Sequence, residues 1–263
     1  MIRFIASDLD GTLLQNTKHK LTPDIIRQIK ELKKQGIIFA AASGRQYPNL
    51  TKLFHEVKDD LAFIASNGGI VVYQNELIAK HELERSTALN IANHISSLEG
   101  IDALLDGQHA SYILKGNPSF LYHLRDNVKN VMIEVDRFED IDEDIVKVSG
   151  RDTRGITYQH GENLLSQYQD IVSCALSGFE WIDLTSKEST KGNGVAALLD
   201  KLSINPSEAM AFGDHHNDLS MLTLVHHSYA MENGTDAAKE VSKYITTRPE
   251  VIIEKLLNHT LVL

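Results

Sequence analysis

Short apolar runs alternate with amphipathic stretches along the first third of the chain. IRFIAS, directly after Met1, reads as a buried strand that ends by presenting Asp8 and Asp10 in DLDGTLL. In TPDIIRQIKELKKQG the apolar residues fall at 25, 26, 29 and 32, one face of a helix, with Thr22 as N-cap, Pro23 in the first helical position and Gly36 as the stop. IIFAAAS at 37–43 and LAFIAS at 61–66 are further strands, separated by a helix through YPNLTKLFHEV. Near-continuous apolar strands alternating with helices predict a parallel sheet covered on both faces, and so a doubly wound, Rossmann-like core.

The last third repeats this pattern. TKGNGVAALLDKLS is helical, EAMAFG at 208–213 is a strand, DLSMLTLV is a short helix, and the alternation continues through EVIIEKLLNH. The middle departs from it: one helix (ERSTALNIANHISSL) is followed by the strand-like pieces DALLD, SYILK, DIVSCALS and EWIDLT. Strands in series beside a helix predict a separate α+β module. The expected organisation is an α/β protein whose doubly wound core is formed by residues 1–80 and 184–263, with 81–183 inserted. The acidic run from Glu139 to Asp144 reads as a solvated face.

Composition narrows the class. The 263 residues are 42% hydrophobic and 24% charged, as expected of an ordinary globular protein. A formal net charge of −10, with no basic run longer than Lys33–Lys34, argues against nucleic acid as a partner. Cys174 is the only cysteine, which rules out an intrachain disulfide and fits a reducing compartment; within DIVSCALSG it reads as a buried structural thiol. No apolar run approaches the roughly 18 residues of a membrane span, and no signal peptide is evident, so a cytoplasmic location is expected.

In an open parallel sheet, ligands bind at the carboxyl ends of the strands. The predicted strands end in Asp8 and Asp10, in Ser43 and Arg45 (SGR), in Asn67 and Gly68 (SNGG), and in Asp214, Asn217 and Asp218 (GDHHND), while TKG sets Lys191 at a helix start. The carboxylates make a hard oxygen site suited to Mg²⁺. A hydroxyl, an ammonium, an amide and free backbone N–H groups suit a phosphoryl group. With a carboxylate nucleophile, this is a set for phosphoryl transfer through an aspartyl-phosphate. Other readings of DLDG lose their anchors: a calcium loop needs Gly and Glu where Leu13 and His19 stand, and no P-loop or dinucleotide glycine pattern occurs.

DLDGTLL, SGR, TKG and FGDHHNDLSML, in this order, resemble the four motifs of the haloacid dehalogenase superfamily, and the long insert between the second and third resembles the α+β cap of its Cof-type (class IIB) phosphatases. The resemblance implies Asp8 as nucleophile and Mg²⁺ ligand, and Asp10 as general acid/base that lends its backbone carbonyl to the metal. It implies phosphoryl binding by Ser43 and Lys191 with Asn217 near the phosphate, Asp214 as a metal ligand, and Asp218 holding metal-bound water or orienting its loop. Thr12 is expected to serve the backbone or phosphate loop, and Arg45 to contact substrate or cap, or to cap its own loop. In this scheme Asp8 stays ionised while Asp10, beside it, keeps a proton for the leaving group. The implied activity is hydrolysis of small phosphorylated metabolites such as sugar phosphates, with substrate choice residing in the cap and a monomer compatible with the sequence. A phosphosugar mutase on the same core, and a phosphorylatable signalling protein, are the alternatives. The loop after Met231, AMENGTDAAKEVS, departs from the Gly-Asn-Ala segment of Cof-type chains.

Overall fold

The computed structural model describes residues 1–15, 20–155, 160–177 and 179–262. The chain divides into two units, Met1–Lys80 with Thr190–Leu263, and His81–Ser189. In chain order the first unit begins with β1 (Phe4–Asp8), α1 (Pro23–Lys34), β2 (Ile38–Ala42), α2 (Tyr47–Leu53), β3 (Leu61–Ala65), β4 (Ile70–Tyr73) and β5 (Glu76–Lys80). The inserted unit contains α3 (Arg85–Ser97), β6 (Asp102–Asp106), β7 (Ser111–Leu114), α4 (Pro118–Tyr122), β8 (Met132–Val135), β9 (Lys147–Arg151), α5 (Glu162–Tyr168), β10 (Ser173–Ser177) and β11 (Trp181–Thr185). The first unit resumes with α6 (Lys191–Lys201), β12 (Ala209–Gly213), α7 (Leu219–Leu224), β13 (His227–Met231), α8 (Asp236–Val241), β14 (Tyr244–Thr246) and α9 (Pro249–Leu257).

The first unit is built on an eight-stranded sheet in the order β14-β13-β12-β1-β2-β3-β4-β5. It is parallel from β14 to β3, as the apolar strands predict, with β4 and β5 added antiparallel at one edge. The hairpin β4–β5 lies outside the predicted elements. Its two-residue turn, Gln74–Asn75, has positive φ at both positions (51° and 62°), as a type I′ hairpin requires. From β1 the chain proceeds towards β3 on one side and, after the insert, towards β14 on the other. The strand order therefore reverses at β1 and β12, the place where an α/β sheet opens a crevice at its carboxyl edge.

Local chemistry sets these elements. Thr22 Oγ1 accepts from Ile25 N, Pro23 opens α1, and Ile25, Ile29 and Leu32 are buried, as their spacing predicts. Small residues line the middle of the sheet (Ala6, Ala40, Ala42, Ala62), so helices approach closely. Gly194 of α6 is one such contact: a Cβ there would lie 2.5 Å from Ile64 Cγ2.

The inserted unit is a six-stranded sheet in the order β10-β11-β9-β6-β7-β8, antiparallel except for β7–β8. The helices α3 and α5 bury Ala88, Ile91, Ile95, Leu164 and Tyr168 with Leu105, Val148 and Ile182 of the sheet. The expected return to the core at 183/184 falls inside β11. That strand is paired on both edges, to β9 and β10, so all of it stays with the insert and the return comes at Ser189/Thr190. Within the acidic run, Glu143 departs from the solvated reading: it accepts from Gln108 N (3.0 Å), His109 N (3.2 Å) and Tyr112 OH (2.7 Å), holding the β6–β7 turn. Cys174 is half-buried against the apolar cluster, and burial pushes its thiol up to about 11, which keeps it unreactive at neutral pH. Among the described residues no helix is long and apolar enough to cross a membrane.

Two measurements test this account. Gly194→Ala should destabilise the chain by about 1–3 kcal/mol in denaturant unfolding, because the added methyl has no room beside Ile64; an unchanged midpoint would contradict the packing. Glu84 caps α3 through Ser86 N (3.0 Å) and Thr87 N (2.8 Å), and with the Ser86 hydroxyl these bonds depress its carboxyl from 4.5 to about 2. A depressed carboxyl contributes stability above its unfolded value that is lost as pH falls through the folded one. Thermal melts of Glu84→Ala should therefore lie below the parent at pH 6 and converge with it between pH 4.5 and about 2.

Candidate active site

Asp8 ends β1 and Asp214 follows β12, the two strands at which the sheet order reverses. Lys191 is the first residue of α6, whose N-cap Thr190 accepts from Asn193 N. Its side chain is wholly buried, with Nζ 2.5 Å from Asp8 Oδ1 and 2.6 Å from Asp218 Oδ1. A buried ammonium without partners would lose its proton. Here burial lowers the pKa, but Asp8 and Asp218 outweigh it and hold Lys191 above its ordinary value. Burial in turn drives the Asp8 carboxyl well up, opposed by Lys191.

Asp8, Asp214 and Asp218 each offer a carboxylate oxygen within 4.8 Å of the others. The three are not equivalent. Asp218 is the most engaged: Oδ1 accepts from Lys191, and Oδ2 accepts from Asp214 N (2.8 Å) and His215 N (3.0 Å). It therefore ties the loop after β12 to the lysine. Asp214 is half-buried and raised by burial, and it receives the Thr12 hydroxyl at 3.0 Å. Thr12 thus also holds Asp214 through its side chain. Position 11 must be glycine: φ is +96°, and a Cβ would come within 2.3 Å of Asp214 Oδ2. Asp8 Oδ2 is buried and makes no hydrogen bond. Three clustered acids against one ammonium leave an excess of negative charge that fits a hard divalent cation, with Asp8 and Asp214 as the side chains that would hold it.

Asp10 stands apart from this cluster. Its carboxylate is exposed and paired with Arg45, Nε to Oδ2 at 2.9 Å and Nη2 to Oδ1 at 2.5 Å. A bidentate guanidinium, and not Asp8 alone, therefore faces the Asp10 carboxylate. The Arg45 guanidinium contacts Asp10, and its backbone bonds to Ser43 and Ser66. Ser43 is buried at the end of β2, its hydroxyl accepting from Arg45 N at 3.2 Å. Asn217 is exposed and donates through Nδ2 to Asn67 Oδ1 at 3.0 Å. The departing loop after Met231 buttresses the site: Asn233 Nδ2 donates to Gly11 O (3.1 Å) and Thr235 N to Asp214 O (2.8 Å).

A model of the haloacid dehalogenase-like hydrolases matches residues 5–251. The chain is 30% identical over 263 residues to the 5-amino-6-(5-phospho-D-ribitylamino)uracil phosphatase YbjI of Escherichia coli, covering 98% of this chain and 97% of that one. It is 23% identical to phosphatase YwpJ of Bacillus subtilis, covering 99% and 100%. Among solved structures, TM0651 from Thermotoga maritima superposes with a TM-score of 0.85 at 25% identity, covering 97% of each chain. The HAD subclass IIB sugar phosphatase BT4131 shares the fold, with a TM-score of 0.79 at 20% identity over 98% of each. The chain therefore belongs to the haloacid dehalogenase-like hydrolases. Within them it is of the Cof type, and it is a phosphatase.

Replacing Lys191 by Met would leave Asp8 and Asp218 buried without their cation, a loss of about 3–5 kcal/mol at neutral pH. Buried carboxyls without a cation have folded pKa values above the ordinary 3.8, so their contribution is favourable at low pH and is lost as pH rises through the folded value. The deficit of Lys191→Met against the parent, read from denaturant midpoints, should shrink as pH is lowered from 7 towards 4. A deficit independent of pH would contradict the ion-pair account.

Proposed function

We propose that the chain is a Mg²⁺-dependent phosphomonoesterase acting on small phosphorylated metabolites, sugar phosphates among them, through an aspartyl-phosphate on Asp8. The observation that carries the reading is the buried Asp8 carboxylate, anchored on one oxygen by Lys191 and bare on the other. A carboxylate held in this way has one lone-pair-bearing atom free to attack and a fixed direction in which to do so.

In the proposed sequence Asp8 Oδ2 attacks phosphorus, the P–O bond to the alcohol breaks, and a proton passes to the departing oxygen. Water then attacks the phosphorus of the acyl phosphate and returns Asp8 as carboxylate with release of inorganic phosphate. Mg²⁺, held by Asp8 and Asp214 with the backbone carbonyl of Asp10, would supply charge neutralisation for the phosphoryl oxygens. Lys191 remains an ammonium throughout and offsets the charge on Asp8 and Asp218. Ser43 Oγ and Asn217 Nδ2 donate to phosphoryl oxygens. Asp10, as general acid/base, gives that proton to the leaving oxygen and recovers one from the hydrolytic water.

The relative named for 5-amino-6-(5-phospho-D-ribitylamino)uracil adds a phosphorylated sugar alcohol to the substrates worth offering. The inserted unit, as a cap, is the proposed source of discrimination among them.

Inorganic phosphate release from a panel of phosphoesters, including that compound and hexose phosphates, tests the proposal. Turnover should stop on chelation of divalent metal and return with Mg²⁺, and Asp8→Asn should lower it by about a thousandfold or more. Unchanged turnover by Asp8→Asn would sink the nucleophile, and isomerised sugar phosphate without free phosphate would mark a mutase instead.

A further inference from the structure

Three successive residues after β3 have positive φ: Ser66 (49°), Asn67 (56°) and Gly68 (100°). Such a run is disfavoured for side-chain-bearing residues and persists only where the surroundings impose it. Here the loop carrying Ser43 imposes it: Ser66 N donates to Arg45 O and Asn67 N to Ser43 O, both at 2.9 Å. Gly68 lies so close to the residue preceding Lys191 that a Cβ would come within 2.1 Å of Thr190 O. Asn67 also sits over Gly44, where a Cβ would lie 3.3 Å from its Nδ2.

The turn thus touches the segments bearing Ser43 and Lys191 through its backbone. Through the Asn67 amide it reaches a third, because Oδ1 accepts from Asn217 Nδ2 at 3.0 Å. An amide nitrogen has two hydrogens. Spending one on Asn67 fixes the plane of the Asn217 amide and leaves the other directed by it.

We infer that Asn67 is a positioning residue for phosphoryl recognition, orienting the Asn217 amide so that its remaining N–H meets a phosphoryl oxygen. The inference rests on the phosphatase mechanism proposed above. It also accounts for the residue type: asparagine tolerates a left-handed backbone better than most residues, and its short side chain supplies the acceptor from there. Asn67 does not touch the reacting atoms, so its effect should fall on binding of the phosphoryl group more than on the chemical step.

The test is a double-mutant cycle on the full chain, read by steady-state kinetics and by competitive inhibition with inorganic phosphate. Asn67→Gly keeps the left-handed backbone and deletes the acceptor; it should raise KM and the inhibition constant for phosphate about tenfold, the loss of one well-made hydrogen bond, with kcat within about twofold. Adding Asn217→Ala to Asn67→Gly should cost almost nothing more, because the two amides act as one unit. In Asn67→Asp, which retains an acceptor and tolerates the backbone, Asn217→Ala should again cost about tenfold, which keeps the test in force if the glycine variant folds poorly. Unchanged KM and phosphate inhibition in Asn67→Gly would overturn the inference, as would an equal cost of Asn217→Ala with and without Asn67. An active parent with either result removes only this role; a parent that neither hydrolyses any phosphoester of the panel nor binds phosphate removes the phosphatase mechanism beneath it.

Discussion

The site depends on one buried ammonium. Lys191 has no access to solvent and lies between the carboxylates of Asp8 and Asp218. Burying any one of these charges alone is costly, and leaving the two acids without the lysine costs about 3–5 kcal/mol. Together they bring three distant parts of the chain to one point: the end of β1, the start of α6 and the loop after β12. Asp218 then passes the constraint on by accepting from the backbone of Asp214 and His215, which sets where the Asp214 side chain can be, and Thr12 completes that placement from the other side.

Much of the fold is legible along the chain because apolar runs and helix caps are local signals. Thr22, Pro23 and the 25, 29, 32 spacing mark α1 within a dozen residues, and Asp8 announces itself as a carboxylate on an apolar strand. Asp214 and Asp218 follow an apolar strand in the same way. What cannot be read locally depends on which atoms meet. Thr12 is an ordinary hydroxyl until Asp214 lies beside it, and Arg45 could face substrate, solvent or Asp10 until the loops are assembled. The Glu143 capping bonds hide for the same reason inside a run whose other acids do face solvent. The hairpin at Gln74–Asn75 had a usable signal, two residues tolerant of positive φ between β-formers, but neither is glycine, the usual mark of such a turn.

The electrostatic division of labour between the two aspartates of DLDG differs from what their spacing alone suggests. Residues two apart on a strand repel, and repulsion would keep one of them protonated. The folded chain instead gives each its own cation, Lys191 for Asp8 and Arg45 for Asp10, one buried and one largely open to water. Each aspartate is thereby tied to a different segment, Asp8 to the start of α6 and Asp10 to the loop after β2.

The Lys191–Asp8 pair spans 183 positions of sequence, and the Thr12–Asp214 bond 202. On the ribosome, β1 emerges long before β12, its neighbour in the sheet, and Asp8 is exposed without a cation until the last third has been made. A nascent chain stopped after the insert has Asp8 but not Lys191, Asp214 or Asp218. The acidic cluster and its lysine therefore come together late, when the C-terminal strands close against the first one.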